Sequence, residues 1–454
     1  MKRASGVLLP IFSLPGKYGI GTFGEGARHF IDRIAEGGFS LWQTLPFCPP
    51  DAYGSPYAGR SSFAISPGYI DPGELLFAEL ISKKEAEGEE RPEGRFASFD
   101  VSEGRLALCQ KAASRLPADQ LDDFLEREPQ VAVFCRLYAD QGGDFQTIAF
   151  SQYEARREWD ALRAYAHAHG VSIMGDMPIY VSADSLDIAA YPEAFLLDAE
   201  GRAARVAGVP PDYFSTDGQI WGNPLYRYDA MQENGYRFFR ERLFFLRRCF
   251  DSLRLDHFRG YASYYSIPAG EGAREGRWEE GPADSLFAAL SDLIKDYLVV
   301  AEDLGDVGAE VDEFRRRCGF LSTRVLPFGF LGDPKSVHLP HNYPEDSVAY
   351  SGTHDNETLQ EYISSMPSSE RKYLLDYCGA EDRNAASSVI RVLLASHARI
   401  AVFPLADLLL YGAPFRINTP GRAEGNWNVR FTHDELAALD TDYYLYLNRL
   451  FGRA

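Results

Sequence analysis

Four acidic residues stand where short apolar runs end: Asp176 after VSIMG, Asp256 after SLRL, Glu302 after LVVA, and Asp355 after SVAYSGTH. Acids at the C-terminal ends of parallel strands face one rim when those strands close into a barrel. The run SLRLDH adds detail. With a period of two, Arg254 and Asp256 share one face while Leu253, Leu255 and His257 share the other. A guanidinium that close would hold the Asp256 carboxylate ionised, which is the state a nucleophile needs. Glu302 follows Leu298-Val299-Val300-Ala301, and apolar surroundings favour a protonated carboxyl that can act as a general acid. One charged carboxylate beside one protonated carboxyl is an arrangement that cleaves glycosidic bonds. Each acid alone reads equally well as a helix cap or surface charge, and Arg254 with Asp256 as a buried ion pair. Four acids at four strand ends argue for a site.

The elements that must position them are legible as alternation. Eight apolar runs of strand length occur at 6–12, 40–47, 171–177, 252–257, 297–303, 322–328, 347–353 and 399–405. Amphipathic patterns lie between several of them. Ala27, Phe30, Ile31, Ile34 and Ala35 mark one helical face, with Thr22 and Glu25 spaced as a capping box and Gly37-Gly38 as the stop. Phe239, Leu243, Leu246 and Phe250 line another helix, which leads into SLRLDH. Strand–helix alternation repeated eight times predicts an α/β fold, a closed (β/α)8 TIM barrel. The spacing is uneven. Residues 72–150 read as a helical insertion and 182–235 as a long active-site loop, both at the C-terminal rim of a single catalytic domain spanning 1–454.

Composition narrows the partners. The chain has 454 residues, with 46 Lys+Arg against 66 Asp+Glu and a net charge of -20. That balance disfavours nucleic acid and anionic membrane as partners. The 30 Phe, 26 Tyr and 5 Trp suit both a large core and the stacking of sugar faces. The six cysteines are scattered, the start MKRASGVLLPIFSLPG is interrupted by Pro10, and no apolar stretch is long enough to span a bilayer. The expectation is a soluble, cytoplasmic protein. Gly19, Gly21 and Gly24 spell GxGxxG, yet lie too far beyond the first strand and lack the later acid of a dinucleotide site. His167 with His169, and His338 with His341, lack the company a metal needs. No metal or cofactor is expected.

The segments GVLLPIFSLPGKYGIGTFG, WQTLPFCPP, GSPYAGRSSFA, GDMPIYV, GVPPDYFSTDGQIWGNPLY, RLDHFRG, AEDLG, GTHDNET and RINTPGRAEGNW occur in order from residue 6 to about residue 430. Together they resemble the 4-α-glucanotransferases, the amylomaltases or disproportionating enzymes of glycoside hydrolase family 77. The resemblance implies a (β/α)8 barrel, Asp256 as nucleophile, Glu302 as acid/base, and Asp355 as the acid that steadies the transition state, with His354 beside it. It implies that Arg254 supports the nucleophile. Asp176, Ser55 and Tyr57 would line the subsite of the attacked sugar, and Asp212, Tyr213, Phe214, Gln219 and Trp221 the acceptor side. For Phe214 and Trp221, loop packing is an equal alternative.

The implied substrates are maltooligosaccharides, amylose and other α-1,4-glucans, transferred with retention of configuration. Retention predicts carboxyl groups about 5–5.5 Å apart. Asn428-Val429 and Gly59-Arg60 depart from the family pattern and bear on the sugar subsites, and the chain is shorter than many relatives. Two other readings stand: an α-glucan hydrolase using the same acids, and a catalytically idle glucan-binding protein. Oligomeric state is not legible.

Overall fold

The eight apolar runs become eight parallel staves: β1 (Ala4–Leu8), β2 (Leu41–Gln43), β3 (Ser172–Met177), β4 (Ser252–Leu255), β5 (Leu298–Ala301), β6 (Leu321–Val325), β7 (Ser347–Tyr350) and β8 (Ile400–Pro404). In the computed structural model they form one closed barrel in sequential order, with β8 returning to β1. The structure describes residues 2–211, 217–305, 308–422 and 424–454. Every predicted run supplies a stave, and the (β/α)8 architecture is as the alternation requires. Register matters for the chemistry: Asp176 on β3 lies directly opposite Arg254 on β4, which in turn lies opposite Val300 on β5.

The first barrel helix, α1 (Glu25–Glu36), buries Ala27, Phe30, Ile31 and Ile34. Its expected capping box does not form. Gly24 is the N-cap, and the Thr22 hydroxyl instead donates to buried Asp71, which also accepts from the Gly73 NH. A buried carboxylate attracts that hydroxyl more strongly than a solvated helix start does. The GxGxxG glycines serve close packing: a Cβ on Gly21 would fall 1.8 Å from the Ile11 carbonyl, and one on Gly24 would fall 2.0 Å from Asp71 Oδ2.

Between β2 and β3 the chain makes helices Pro72–Phe77, Lys83–Gly88, Val101–Ala113, Ala118–Arg127, Pro129–Asp140 and Phe145–Ala168. The last runs straight through residue 150 and packs on the barrel, its Trp159 ring 5.2 Å from Phe23 and 5.4 Å from Phe250. Within 182–235 the chain is more regular than a loop. Strands Arg205–Val209 and Gln219–Pro224 pair antiparallel, and the first also pairs with Ser263–Pro268, which pairs with Arg277–Glu280. These four strands make a small rim sheet beside the barrel mouth. Among the described residues no helix is long and apolar enough to cross a membrane.

Candidate active site

Strand alternation sends the Arg254 side chain inward, where it is 5% exposed. There its Nη1 donates to both oxygens of Asp176 at 2.8 Å and to Asp256 Oδ1 at 3.1 Å, while Nη2 lies 4.0 Å from Glu302 Oε2. One guanidinium thus gathers three carboxylates from the ends of three neighbouring strands. Its strongest contacts go to Asp176, not to Asp256 as the spacing alone suggested. The reason is the register, which sets Asp176 opposite Arg254, whereas Asp256 lies one step beyond the end of β4. Burial works against the guanidinium charge, and Asp176, Tyr57, Asp256 and Glu302 overcome it, so the Arg254 pKa rises.

Glu302 follows β5 directly, and its backbone is pinned: its NH donates to Leu255 O and its carbonyl accepts from the Phe258 NH, both at 3.0 Å. Its Oε2 accepts from the His257 NH at 2.7 Å. His257 itself sits at φ 43, a left-handed conformation that costs a non-glycine residue free energy and aims the NH at the carboxyl. Burial pushes the Glu302 pKa up to about 8, with Arg254 opposing and Asp256 reinforcing. Near neutrality this carboxyl therefore holds a proton, as its apolar approach along β5 predicts.

Asp355 approaches from the far side of the mouth, in the loop after β7. Asn418 Nδ2 donates to its Oδ1 at 2.6 Å, and His354 Nε2 lies 3.3 Å from its Oδ2. Its side chain remains 44% exposed, the most open of the three acids and free to meet a ligand. Tyr57 completes the floor: its ring stacks on His354 at 5.1 Å, and its hydroxyl donates to Asp176 Oδ2 at 2.7 Å.

These groups surround a cleft of about 450 Å³. Asp256, Glu302, His354, Asp355, Tyr57, Gln219 and Trp221 all line it. Trp221 projects from the rim sheet edge-on to His257, with ring centroids 5.0 Å apart, and is 38% exposed. Asp176 and Arg254 lie beneath the floor: the resemblance implies that Asp176 lines the sugar subsite, whereas Asp176 is 1% exposed and its carboxylate accepts from the Tyr57 hydroxyl. Ser55 lies outside the lining, its NH bonded to Asp51 Oδ1 at 2.8 Å. Asp212, Tyr213 and Phe214 fall outside the described residues.

The lining also holds Tyr180, Asn223, His257, Asn418 and Trp427, none of which carries a site signal in the sequence alone. Asn418 and Trp427 lie within the motif RINTPGRAEGNW, and Trp427 has φ 60, a strained backbone at the mouth of the cleft. The two departures from the family pattern point elsewhere. Arg60 reaches Gln141 Oε1 at 2.7 Å, in the helical insertion. Val429 is buried and pairs with Phe96, while Asn428 O accepts from the Ala97 NH. The histidine pairs are engaged locally, His167 with Asp251 at 2.8 Å and His341 with Tyr377 at 2.9 Å. Among the described residues no group of three or more His, Cys, Asp or Glu is placed to hold a metal.

The sequence profile of glycoside hydrolase family 77, 4-alpha-glucanotransferase, matches residues 9–144 and 127–435. The 4-alpha-glucanotransferase of Aquifex aeolicus is 36% identical over 468 aligned residues, covering 95% of this chain and 96% of its own. That of Thermus thermophilus is 37% identical, covering 96% of each. Among solved structures, an amylomaltase from Streptococcus agalactiae in complex with acarbose superposes with a TM-score of 0.95 at 30% identity, over 100% of both chains. Profile, relatives and barrel agree, and the chain belongs to the 4-alpha-glucanotransferase family.

Proposed function

We propose that this protein moves α-1,4-glucan segments from a donor maltooligosaccharide to the 4-hydroxyl of an acceptor glucan or glucose. The observation that carries the reading is the pair of unlike carboxyls on one guanidinium, Asp256 at 3.1 Å and Glu302 at 4.0 Å, with Glu302 protonated near neutrality. Glu302 gives its proton to the glycosidic oxygen while an Asp256 oxygen attacks the anomeric carbon. The C–O bond to the leaving chain breaks, and a covalent glycosyl-enzyme forms. The leaving chain departs as an alcohol. Glu302, now a carboxylate, takes the proton from the incoming 4-hydroxyl, whose oxygen displaces Asp256 and restores the α-1,4 bond.

Asp355 and His354 hold ring hydroxyls, and Tyr57 supplies the face on which the attacked glucose stacks. Arg254 and Asp176 orient Asp256 from below. Trp221 and Gln219 flank the acceptor. Water, at about 55 M, competes for the intermediate; an acceptor held in place reaches effective molarities of about 10⁵ M or more, so binding decides the outcome. On this reading the chain from 1 to 454 works as one catalytic unit, with 72–150 and 182–235 as insertions walling the rim. It places the enzyme in the cytoplasm, where its six free thiols stay reduced.

The test is product analysis from maltotriose. Transfer yields glucose and longer maltodextrins with a constant number of reducing ends. Reducing ends that rise in proportion to maltotriose consumed identify a hydrolase, and no turnover identifies a binding protein. An Asp256→Asn variant of undiminished turnover refutes the nucleophile assignment.

A further inference from the structure

We infer that Asp407, a buried acid outside the cleft, is a positioning residue that fixes Asp355 by tying together the two ends of its loop. The inference rests on the reading of Asp355 as a sugar-binding acid. Asp407 lies in the short helix Leu405–Leu408 just after β8 and is 1% exposed. Its Oδ2 accepts from Ser351 Oγ at 2.6 Å, and its Oδ1 accepts from the Leu359 NH at 2.7 Å.

Ser351 is the first residue after β7, and Leu359 is the first residue of helix Leu359–Ser365. One carboxylate therefore closes the segment 352–358, which carries His354 and Asp355, and anchors it to the next stave. Within the loop, Asn356 Oδ1 accepts from the Thr353 NH and hydroxyl at 2.8 and 2.9 Å, which shapes the turn. From above, Asn418 Nδ2 holds the Asp355 carboxylate and the Asn418 NH holds the His354 carbonyl. Asp407 is the support from below.

The energetics single it out. Asp407 is bonded to a hydroxyl and a peptide NH, and among the described residues no cation pairs with it. An acid buried without a countercharge is costly, and no reacting atom requires one here. What the carboxylate supplies is two acceptors a fixed distance apart, matched to two donors at the ends of one loop. Misplacing a binding group by about 1 Å costs about 10²-fold in rate, so a frame around Asp355 is worth that cost.

The experiment is a double-mutant cycle on maltotriose disproportionation, with thermal unfolding used to normalise to folded enzyme. Asp407→Ala removes both bonds and is expected to lower kcat about 10- to 100-fold. Asp407→Asn keeps both, because its amide oxygen accepts from Leu359 and its amide NH₂ donates to Ser351, whose hydroxyl rotates. It should stay within about threefold of the wild type. The deciding arm is Asp355→Asn with and without Asp407→Ala. If Asp407 acts through Asp355, adding Asp407→Ala changes the Asp355→Asn rate by under about twofold. Equal factors in both backgrounds overturn the proposal and leave the function reading intact. An Asp355→Asn enzyme as fast as wild type overturns the role of Asp355 itself. Should Asp407→Ala not fold, Ser351→Ala takes its place in the same cycle, with the same two outcomes.

Discussion

Replacing Arg254 by Met tests the centre of the site. The guanidinium is 5% exposed and touches Asp176 twice at 2.8 Å and Asp256 at 3.1 Å, with Glu302 at 4.0 Å. Removing it leaves Asp176, 1% exposed, with the Tyr57 hydroxyl as its remaining strong donor. Stripping one partner from a buried pair costs about 3–5 kcal/mol, and less once the stranded carboxyl takes up a proton. Arg254→Met is therefore expected to lower stability by about 3 kcal/mol, measured by urea unfolding followed through tryptophan fluorescence. Adding Asp176→Asn removes the most deeply buried of the stranded charges and should recover part of that loss. Activity should behave differently. Turnover on maltotriose falls about 10²–10³-fold in Arg254→Met and stays low in the double variant, because the contact to Asp256 is absent in both. Two single-variant losses that simply add in the double variant, or an Arg254→Met cost under about 1 kcal/mol, would refute the argument that buried charge pairing holds this floor together.

Four further outcomes follow from the geometry. The Glu302 pKa of about 8 means that kcat/KM for maltotriose falls as pH rises through about 8, because the first step needs its proton; a limb that persists in Glu302→Gln belongs to another group. The same raised pKa contributes stability that is full below the ordinary value of 4.5 and is lost as pH climbs through about 8, readable as a falling unfolding midpoint. Trp221→Ala removes an indole 38% exposed over the cleft and should raise the hydrolysed share of product about threefold to tenfold, scored as reducing ends against glucose released; an unchanged share removes Trp221 from the acceptor side. In Gly59→Ala the new Cβ would fall 2.2 Å from Cys48 Sγ, lowering stability by about 1–3 kcal/mol; Cys48→Ala in the same chain should restore most of it in thermal unfolding, and equal losses with and without that sulfur point to another cause.

The barrel was legible because its staves are buried on both faces and read as uninterrupted apolar runs, so LVVA and IAVFP need no tertiary context to be recognised. Alternation along SLRL placed Arg254 and Asp256 on the inner face for the same reason. What escaped depends on partners distant in sequence. Asp176 reads as a rim acid until register sets it against Arg254, 78 residues on. Thr22 has the spacing of a cap, but its hydroxyl goes to Asp71, 49 residues away. The strand Gln219–Pro224 carries Gly222 and a terminal proline and shows no period-two apolar pattern, being held by its pairing with Arg205–Val209. Asn418 and Trp427 enter the cleft from a segment without periodicity, through the Asn418 NH on the His354 carbonyl and the Trp427 NH on the Ile417 carbonyl.

The lining of the cleft is drawn from points as far apart as Tyr57 and Trp427, and this dispersal bears on how the molecule comes into being. A nascent chain that has made five staves has Asp256 and Glu302 but lacks Asp355, Asn418 and the tryptophan beyond them. A copy without the later staves lacks half of the cleft's lining, so it is expected to be inert toward α-1,4-glucans. Catalytic competence needs both the joining of β8 to β1 and the segment beyond it that delivers Asn418 and Trp427, so as denaturant rises turnover should be lost no later than the circular dichroism of the barrel.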